Sequence, residues 1–337
     1  MSRRYIKDLA SGDTLDDQVF LLTQKDLRSA NNGSLYIHAV LADRTGQMPG
    51  RVWQASQELY NLLPQDGFVK VRGRTESYKG SLQFIIEGIK AVDVSAADVE
   101  ELLPKTAKDI DQMKRRVLEI LRMVKDRNVL YLVKQFVDDK KLMEQFCKAP
   151  AAVQMHHACI GGLLEHTLNL MELVLLVGPR YPQIDMDLMI AGTFLHDIGK
   201  THELTCEGAF KYSDGGQLVG HLVIGALFIE QKARLAEKEL GEPFPERILH
   251  LLQHMVLSHH GEYELGAARL PMTAESLALH HLDNLDAKLE MVRLEIESAN
   301  ATDPETSWTG YVRSLERRLY KGGLYGKAGK DGDRSGS

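Results

Sequence analysis

The stretch "FLHDIGK", Phe194 to Lys200, places a histidine, an aspartate and a lysine at the polar end of an apolar run. Alone, His196-Asp197 is compatible with an ordinary helix terminus or with half of a metal site. Which reading holds depends on whether other segments supply partners.

Twelve of the thirteen histidines fall after residue 155. His166 lies in "GGLLEHTLNLMELV", where helical spacing predicts that it faces inward with Leu163, Leu170 and Val174. His221 stands early in "GHLVIGALFIEQKA". His259-His260 close "RILHLLQHMVLSHHGE" just before Gly261, which suits a helix stop. Asp283 lies in "LALHHLDNLDAKLEMV". A lone helical histidine is more often a hydrogen-bonded or surface residue than a ligand. Here His, His-Asp, His, His-His and Asp follow one another on successive apolar helices. So many buried imidazoles and carboxylates are costly unless something pairs with them. A divalent cation supplies that pairing, and mixed imidazole and carboxylate donors suit manganese, iron, cobalt or zinc better than calcium. The set is too large for one tetrahedral structural zinc. It points to an open octahedral site, or to two metals sharing an aspartate. Lys200, one turn after His196, reads equally as a helix-end cation or as a phosphate contact.

The chain has 337 residues, 44% of them hydrophobic and 26% charged, with a net charge of −6. That is the profile of a globular chain long enough for two cores. No run reaches the roughly 18 apolar residues of a membrane span, and the first residues predict no secretory leader. Cys147, Cys159 and Cys206 show no CxxC spacing and read as reduced thiols of a cytoplasmic protein. Residues 1–93 hold twelve Lys and Arg against eleven Asp and Glu, which leaves −7 for the remainder. The N-terminal part is therefore the more basic one.

That part has a strand grammar: "GSLYIHAVLADRTG", "GRVWQAS", "GFVKVRGRTESYKG" and "SLQFIIEGIKAVD" are short runs between turn residues. Regular spacing predicts a small barrel. Asp43, Thr45 and Gly46 suit a side-chain-bonded turn. From Ala96 the pattern turns helical and continues so to about Leu319, with Pro104 as punctuation.

The order of histidines and aspartates resembles the HD phosphohydrolase superfamily, an all-helical metal-dependent fold. "YSDGGQLVGHL", "LSHHGEYELGAARLPMTAESLALHHLDNLDAK" and the N-terminal barrel are more narrowly similar to YhaM-type bacterial exoribonucleases, which act from the 3′ end. The similarity spans about residues 5–320. The segment after His259-His260 lacks the proline of the Gly-Tyr-Pro branch that handles cyclic dinucleotides. The resemblance implies a primary metal set of His166, His196, Asp197 and Asp283. His221 and His259 would join a second metal, or the phosphate side of the site, with His260 as the alternative member of its pair. It implies Asp197 and Lys200 as catalytic, Lys200 on a phosphate oxygen. One or two divalent ions are expected, manganese first, with cobalt, iron, zinc or magnesium as alternatives.

"YIHAVLADRTGQMPGRVWQAS" is similar to the opening hairpin of OB-fold domains. In a nucleic-acid reading, Tyr36, Trp53, Tyr78 or Phe84 lie under bases. Arg44, Arg51, Lys70, Arg72, Arg74 and Lys79 then follow phosphates. In the alternative reading Trp53 and Phe84 are barrel core. His156-His157, His250, His254, His280 and His281 are expected to be structural.

The expected fold class is multidomain α+β. An OB-fold β-barrel over residues 1–95 and a helical linker over 96–150 precede an all-α HD-domain over 151–320 and a disordered tail over 321–337. The expected function is metal-dependent 3′ to 5′ hydrolysis of single-stranded RNA, or single-stranded DNA, to nucleoside monophosphates, with no membrane partner. A homo-oligomer is compatible with this reading. The competing expectations are an HD phosphohydrolase of free or cyclic nucleotides, and a non-catalytic RNA-binding adaptor with a structural metal.

Overall fold

In a computed structural model, the described residues are 3–30, 33–78, 81–95, 99, 101–153, 158–205, 210–302 and 305–322. The chain divides into two compact units, Met1–Asp283 and Asn284–Ser337.

The first unit opens with β1 (Thr14–Ser29), β2 (Leu35–Asp43), β3 (Gly46–Val52), a short α1 (Gln57–Leu62), β4 (Gly67–Tyr78) and β5 (Ser81–Ala91). They close a barrel in the order β1-β2-β3-β5-β4, with β1 paired to β4. All pairings are antiparallel except β3–β5. The strand grammar led us to expect a small barrel, and the resemblance of the opening hairpin to OB-fold domains led us to expect this five-stranded arrangement. Alternation puts Phe20, Leu22, Ile37, Leu41, Val69, Val71 and Phe84 inside. Phe84 is fully buried and fills the core, which corrects its reading as a base-stacking residue. The Asp43–Gly46 turn forms as expected: Asp43 Oδ1 accepts from Thr45 N at 2.7 Å, and Oδ2 accepts from Ile6 N at 2.7 Å.

The helical part of this unit comprises α2 (Ile110–Leu121), α3 (Arg127–Val137), α4 (Lys140–Lys148), α5 (Gly162–Val177), α6 (Met186–Leu195), α7 (Lys200–Glu203), α8 (Asp214–Val219), α9 (His221–Leu240), α10 (Glu246–Ser258) and the start of α11 (Ala274–Thr302). Asp109, Asp126, Asp139 and Asp185 cap α2, α3, α4 and α6 by accepting backbone N–H groups. Helices α2 to α4, expected as a linker, share one hydrophobic core with α5, α6, α9 and α10.

Helix α6 shows most clearly how the site is held. Residues Leu188 to Leu195 are all buried, so the rod is clamped on every side. The Phe194 ring meets Phe136 of α3 and Phe146 of α4 edge-on, at centroid distances of 6.4 and 5.5 Å. The polar His196-Asp197 pair follows directly from this anchored end. The barrel docks through Leu21, Ala42 and Phe68 against Leu102, Leu103, Ile160 and Phe210.

The expectation of helices alone to Leu319 needs correction. A two-residue pairing joins β6 (Leu204–Thr205) to β7 (Lys211–Tyr212), and β8 (Trp308–Val312) pairs with β9 (Arg317–Tyr320) in the second unit. The alternation in these runs is too short to stand out against the helical periodicity around them.

Candidate functional site

Asp197 is the hub. Its buried carboxylate stands 3.3 Å from His196 Nε2 and 3.8 Å from His166 Nε2 through Oδ2. Through Oδ1 it stands 3.5 Å from both His221 Nε2 and His259 Nε2. Asp283 Oδ1 lies 3.2 Å from His166 Nε2. Lys200 Nζ pairs with Asp197 Oδ2 at 2.7 Å. Two groups of ligand atoms lie close enough together to hold an ion: His166, His196 and Asp197, and His221, His259 and His260. The order read from the sequence therefore converges in space. The pair left open, His259 and His260, contributes both rings.

The tautomers decide what this pocket can bind. His196 Nδ1 faces the Thr193 carbonyl at 2.7 Å, His259 Nδ1 the Val256 carbonyl at 2.8 Å and His260 Nδ1 the Leu265 carbonyl at 3.0 Å. His221 Nδ1 faces Glu203 Oε1 at 3.0 Å. A carbonyl or carboxylate can only accept, so each Nδ1 carries the proton and each Nε2 presents a lone pair inward. His221 and His260 then oppose lone pairs at 3.3 Å. His196 does the same with the His166 ring 3.2 Å away, unless His166 carries its proton on Nε2. Asp197 Oδ1 is buried without a hydrogen-bond partner among the described residues. Divalent cations resolve these conflicts together, and Nδ1 locking by acceptors is the usual support of metal-binding imidazoles. The residues present fit a metal centre.

The electrostatics agree. Burial opposes the charge of Asp197, but the Lys200 ammonium outweighs it and holds the carboxyl well below its ordinary range. Burial likewise opposes the Lys200 ammonium, while Asp197 raises it above its usual value. Burial above all pushes His260 down to about 3, so its ring is neutral and able to donate a lone pair.

Two glycines make the convergence possible. A Cβ on Gly199 would lie 2.1 Å from the His221 carbonyl oxygen, so only glycine lets the start of α9 come this close to the "HDIGK" turn. Gly261, at φ +81°, leaves room for the His280 ring, which a Cβ would meet at 2.1 Å. His280 Nδ1 in turn sits 2.9 Å from the His259 carbonyl, and His254 Nε2 accepts from Met272 N at 2.9 Å. These two have the structural roles expected of them. His156 and His157 lie outside the described residues, as does Cys206.

Sequence reasoning missed Glu203. This buried acid takes the His221 backbone N–H at 2.9 Å and faces its Nδ1, fixing both the position and the tautomer of the ring. Its signal was faint: one acidic residue in the four-residue α7, six positions after Asp197.

On the barrel, Tyr36, Arg51, Trp53 and Tyr78 gather. The Tyr36 and Trp53 rings are 5.2 Å apart, and the Arg51 guanidinium lies 5.5 Å from the Trp53 ring centre and 5.4 Å from that of Tyr78. Trp53 and Tyr78 are exposed, so Trp53 is not core. Lys70, Arg72 and Arg74 alternate outward along β4, with Arg74 paired to Glu87 at 2.8 Å. Arg44 is not part of this cluster; it lies over Tyr5 at the far end of β2. Lys79 lies outside the described residues.

A model of the HD domain matches residues 163–288, the span that carries every residue of the metal centre. The chain is 32% identical over 304 residues to the 3′-5′ exoribonuclease YhaM of Geobacillus sp. (strain WCH70), covering 90% of each. The chain belongs to the YhaM family. The YhaM 3′-5′ exoribonuclease of Bacillus subtilis (strain 168) is 29% identical over 305 residues, covering 90% of this chain and 93% of that one. Among solved structures, the second OB-fold domain of replication protein A from Methanococcus maripaludis is similar at 16% identity. That match covers 28% of this chain and 98% of the other, with a TM-score of 0.23.

Proposed function

We propose that this YhaM-family chain is a metal-dependent 3′ to 5′ exoribonuclease that cleaves single-stranded RNA to nucleoside monophosphates. One observation carries the reading: the Asp197 carboxylate stands between two imidazole clusters with lone pairs turned inward. His166, His196, Asp197 and Asp283 would hold one ion. His221, His259 and His260, with the second oxygen of Asp197, would hold another. The ion we assign is a divalent metal, manganese first with cobalt, iron, zinc or magnesium as alternatives; mixed nitrogen and oxygen donors favour transition metals over calcium. Divalent metal bound there supplies an acidified water and neutralises phosphodiester charge.

The chain's own groups do the rest. Lys200 keeps an ammonium on the rim of Asp197, where it draws in a phosphate oxygen and balances the carboxylate. Glu203 holds His221 in register, and the buried ends of α6 and α10 fix His196 and His259 before substrate arrives. On the barrel, Tyr36, Trp53 and Tyr78 stack bases while Arg51 and the β4 stripe of Lys70, Arg72 and Arg74 follow phosphates. Cys147 is a buried free thiol, in keeping with a cytoplasmic setting. No helix among the described residues is long and apolar enough to cross a membrane.

The test is 5′-labelled RNA with manganese, comparing a free and a blocked 3′ terminus. The proposal expects stepwise shortening of the free strand and protection of the blocked one. Equal degradation of both would remove the exonuclease direction and leave a phosphodiesterase.

A further inference from the structure

The hairpin β8–β9 lies in the second unit, outside the residues that build the barrel and the metal centre. Its register pairs Trp308 with Tyr320 and Tyr311 with Arg318. Residues directly opposite in antiparallel strands share a face, and so do residues two apart on one strand. Arg318 and Tyr320 are two apart, so all four side chains stand on the same side. The irregularity between Trp308 and Tyr311 makes this possible. In an unbroken alternation Tyr311, three positions from Trp308, would join Thr309 on the other face.

The two faces differ sharply. Trp308, Tyr311 and Tyr320 are 48%, 64% and 57% exposed, while Thr309 and Val312 are buried. The Trp308 and Tyr320 rings lie 5.2 Å apart at 59°. Ser314 and Lys321 tie the hairpin to α11, through Met291 Sδ at 3.0 Å and the Ala299 carbonyl at 3.4 Å. Three large rings are thus held open to solvent on an anchored support.

The charge around them selects the occupant. Residues 305–322 hold four Lys and Arg against two Asp and Glu, in a chain of net charge −6. Arg317 and Arg318 each donate Nε to a backbone carbonyl, at 2.6 and 3.0 Å, which fixes the guanidinium planes. A second copy of the chain is the competing occupant, because a two-stranded sheet has open edges. Pairing two copies would bring arginines against arginines, and a bulged strand is a poor template for edge addition. A polyanion that also offers flat apolar faces meets both features.

We propose that this face is a second base-stacking platform for single-stranded RNA, with Trp308, Tyr311 and Tyr320 under bases and Arg318 on the phosphates. The proposal rests on the RNA reading above and adds a strand contact outside the barrel. The exposed Tyr311 and Arg318 supply variants that do not depend on the Trp308–Tyr320 ring contact.

The experiment measures binding of a fluorescent 20-nucleotide RNA to full-length protein in chelator, so that no cleavage intervenes. Trp308→Ala and Tyr311→Ala should each weaken binding about ten-fold. Arg318→Gln should lower the slope of log affinity against log salt by about 0.7. All three should hydrolyse bis-p-nitrophenyl phosphate like the parent protein. RNA binding unchanged in all three overturns the platform. A fall in sedimentation mass with unchanged RNA affinity overturns it in favour of a contact between copies. A parent protein that neither binds nor shortens RNA overturns the substrate reading as well, which separates the two failures.

Discussion

At the candidate metal centre His196, His221, His259 and His260 are each held at both ends: a carbonyl or Glu203 behind, the ligand cluster in front. On the barrel, Trp53 and Tyr78 stand in solvent and meet Arg51 in loose ring contacts. The first region buries charge and holds it through hydrogen bonds to its own backbone and Glu203, as hydrolysis of a phosphodiester demands. The second offers exposed flat faces beside cations, which suit a strand of any sequence. If the proposed function holds, reaction geometry and strand retention fall to regions of opposite character, and variants in each should fail in opposite ways.

The largest expected break is in the packing beneath the centre. Phe194→Ala removes a fully buried ring gripped by Phe136 and Phe146. It should cost roughly 3–5 kcal/mol of stability by chemical denaturation. A loss below about 1 kcal/mol would show that α6 is not the anchored rod described above. Next comes Glu203→Gln. The amide presents a donor as well as an acceptor, so His221 loses its fixed tautomer. Manganese affinity and turnover should both fall roughly 10- to 100-fold, with RNA affinity in chelator unchanged. Isothermal titration with manganese checks it, and wild-type metal affinity would make Glu203 a mere structural acid.

On the barrel side, Trp53→Ala should weaken binding of a long RNA about ten-fold and leave bis-p-nitrophenyl phosphate hydrolysis untouched. Equal losses on both substrates would erase the contrast between the regions. The smallest effect is expected at the α4 cap. Asp139 accepts from Leu142 N at 3.1 Å and from Lys232 Nζ at 2.8 Å. The Lys232 hydrogen bond leads in holding its carboxyl below the ordinary range. A depressed carboxylate stabilises the fold above its unfolded pKa and loses that contribution as pH falls through the folded one. Asp139→Asn keeps an N-cap acceptor and removes only a solvent-screened charge, so it should cost at most about 1 kcal/mol at pH 7, with the gap closing in strong acid. A gap that persists there would assign the effect to something other than this charge.

Much of this was legible in the sequence, for physical reasons that can be named. His166 stood out because its helical spacing with Leu163, Leu170 and Val174 put a costly group on an apolar face. His196-Asp197 stood out because a helix buried all round ends there. His259 and His260 were not separable, since adjacent residues at a helix end have no periodic face, and the structure uses both rings. Glu203 escaped because its role depends on the close approach of α7 and α9, which Gly199 permits and no local pattern reveals. The helices from Ile110 to Lys148 read as a linker because their amphipathic pattern does not say which core they join. On the barrel, strand alternation cannot tell a buried aromatic from a functional one, and Phe84 and Trp53 ended on opposite sides of that question.

The central claim is that Asp197 is the shared carboxylate of a hydrolytic metal centre. Asp197→Ala, purified and supplied with manganese, should lose RNA hydrolysis by a factor of at least about 1,000. It should still bind the same RNA in chelator with close to parental affinity. Full hydrolysis by this variant would contradict the account at its centre.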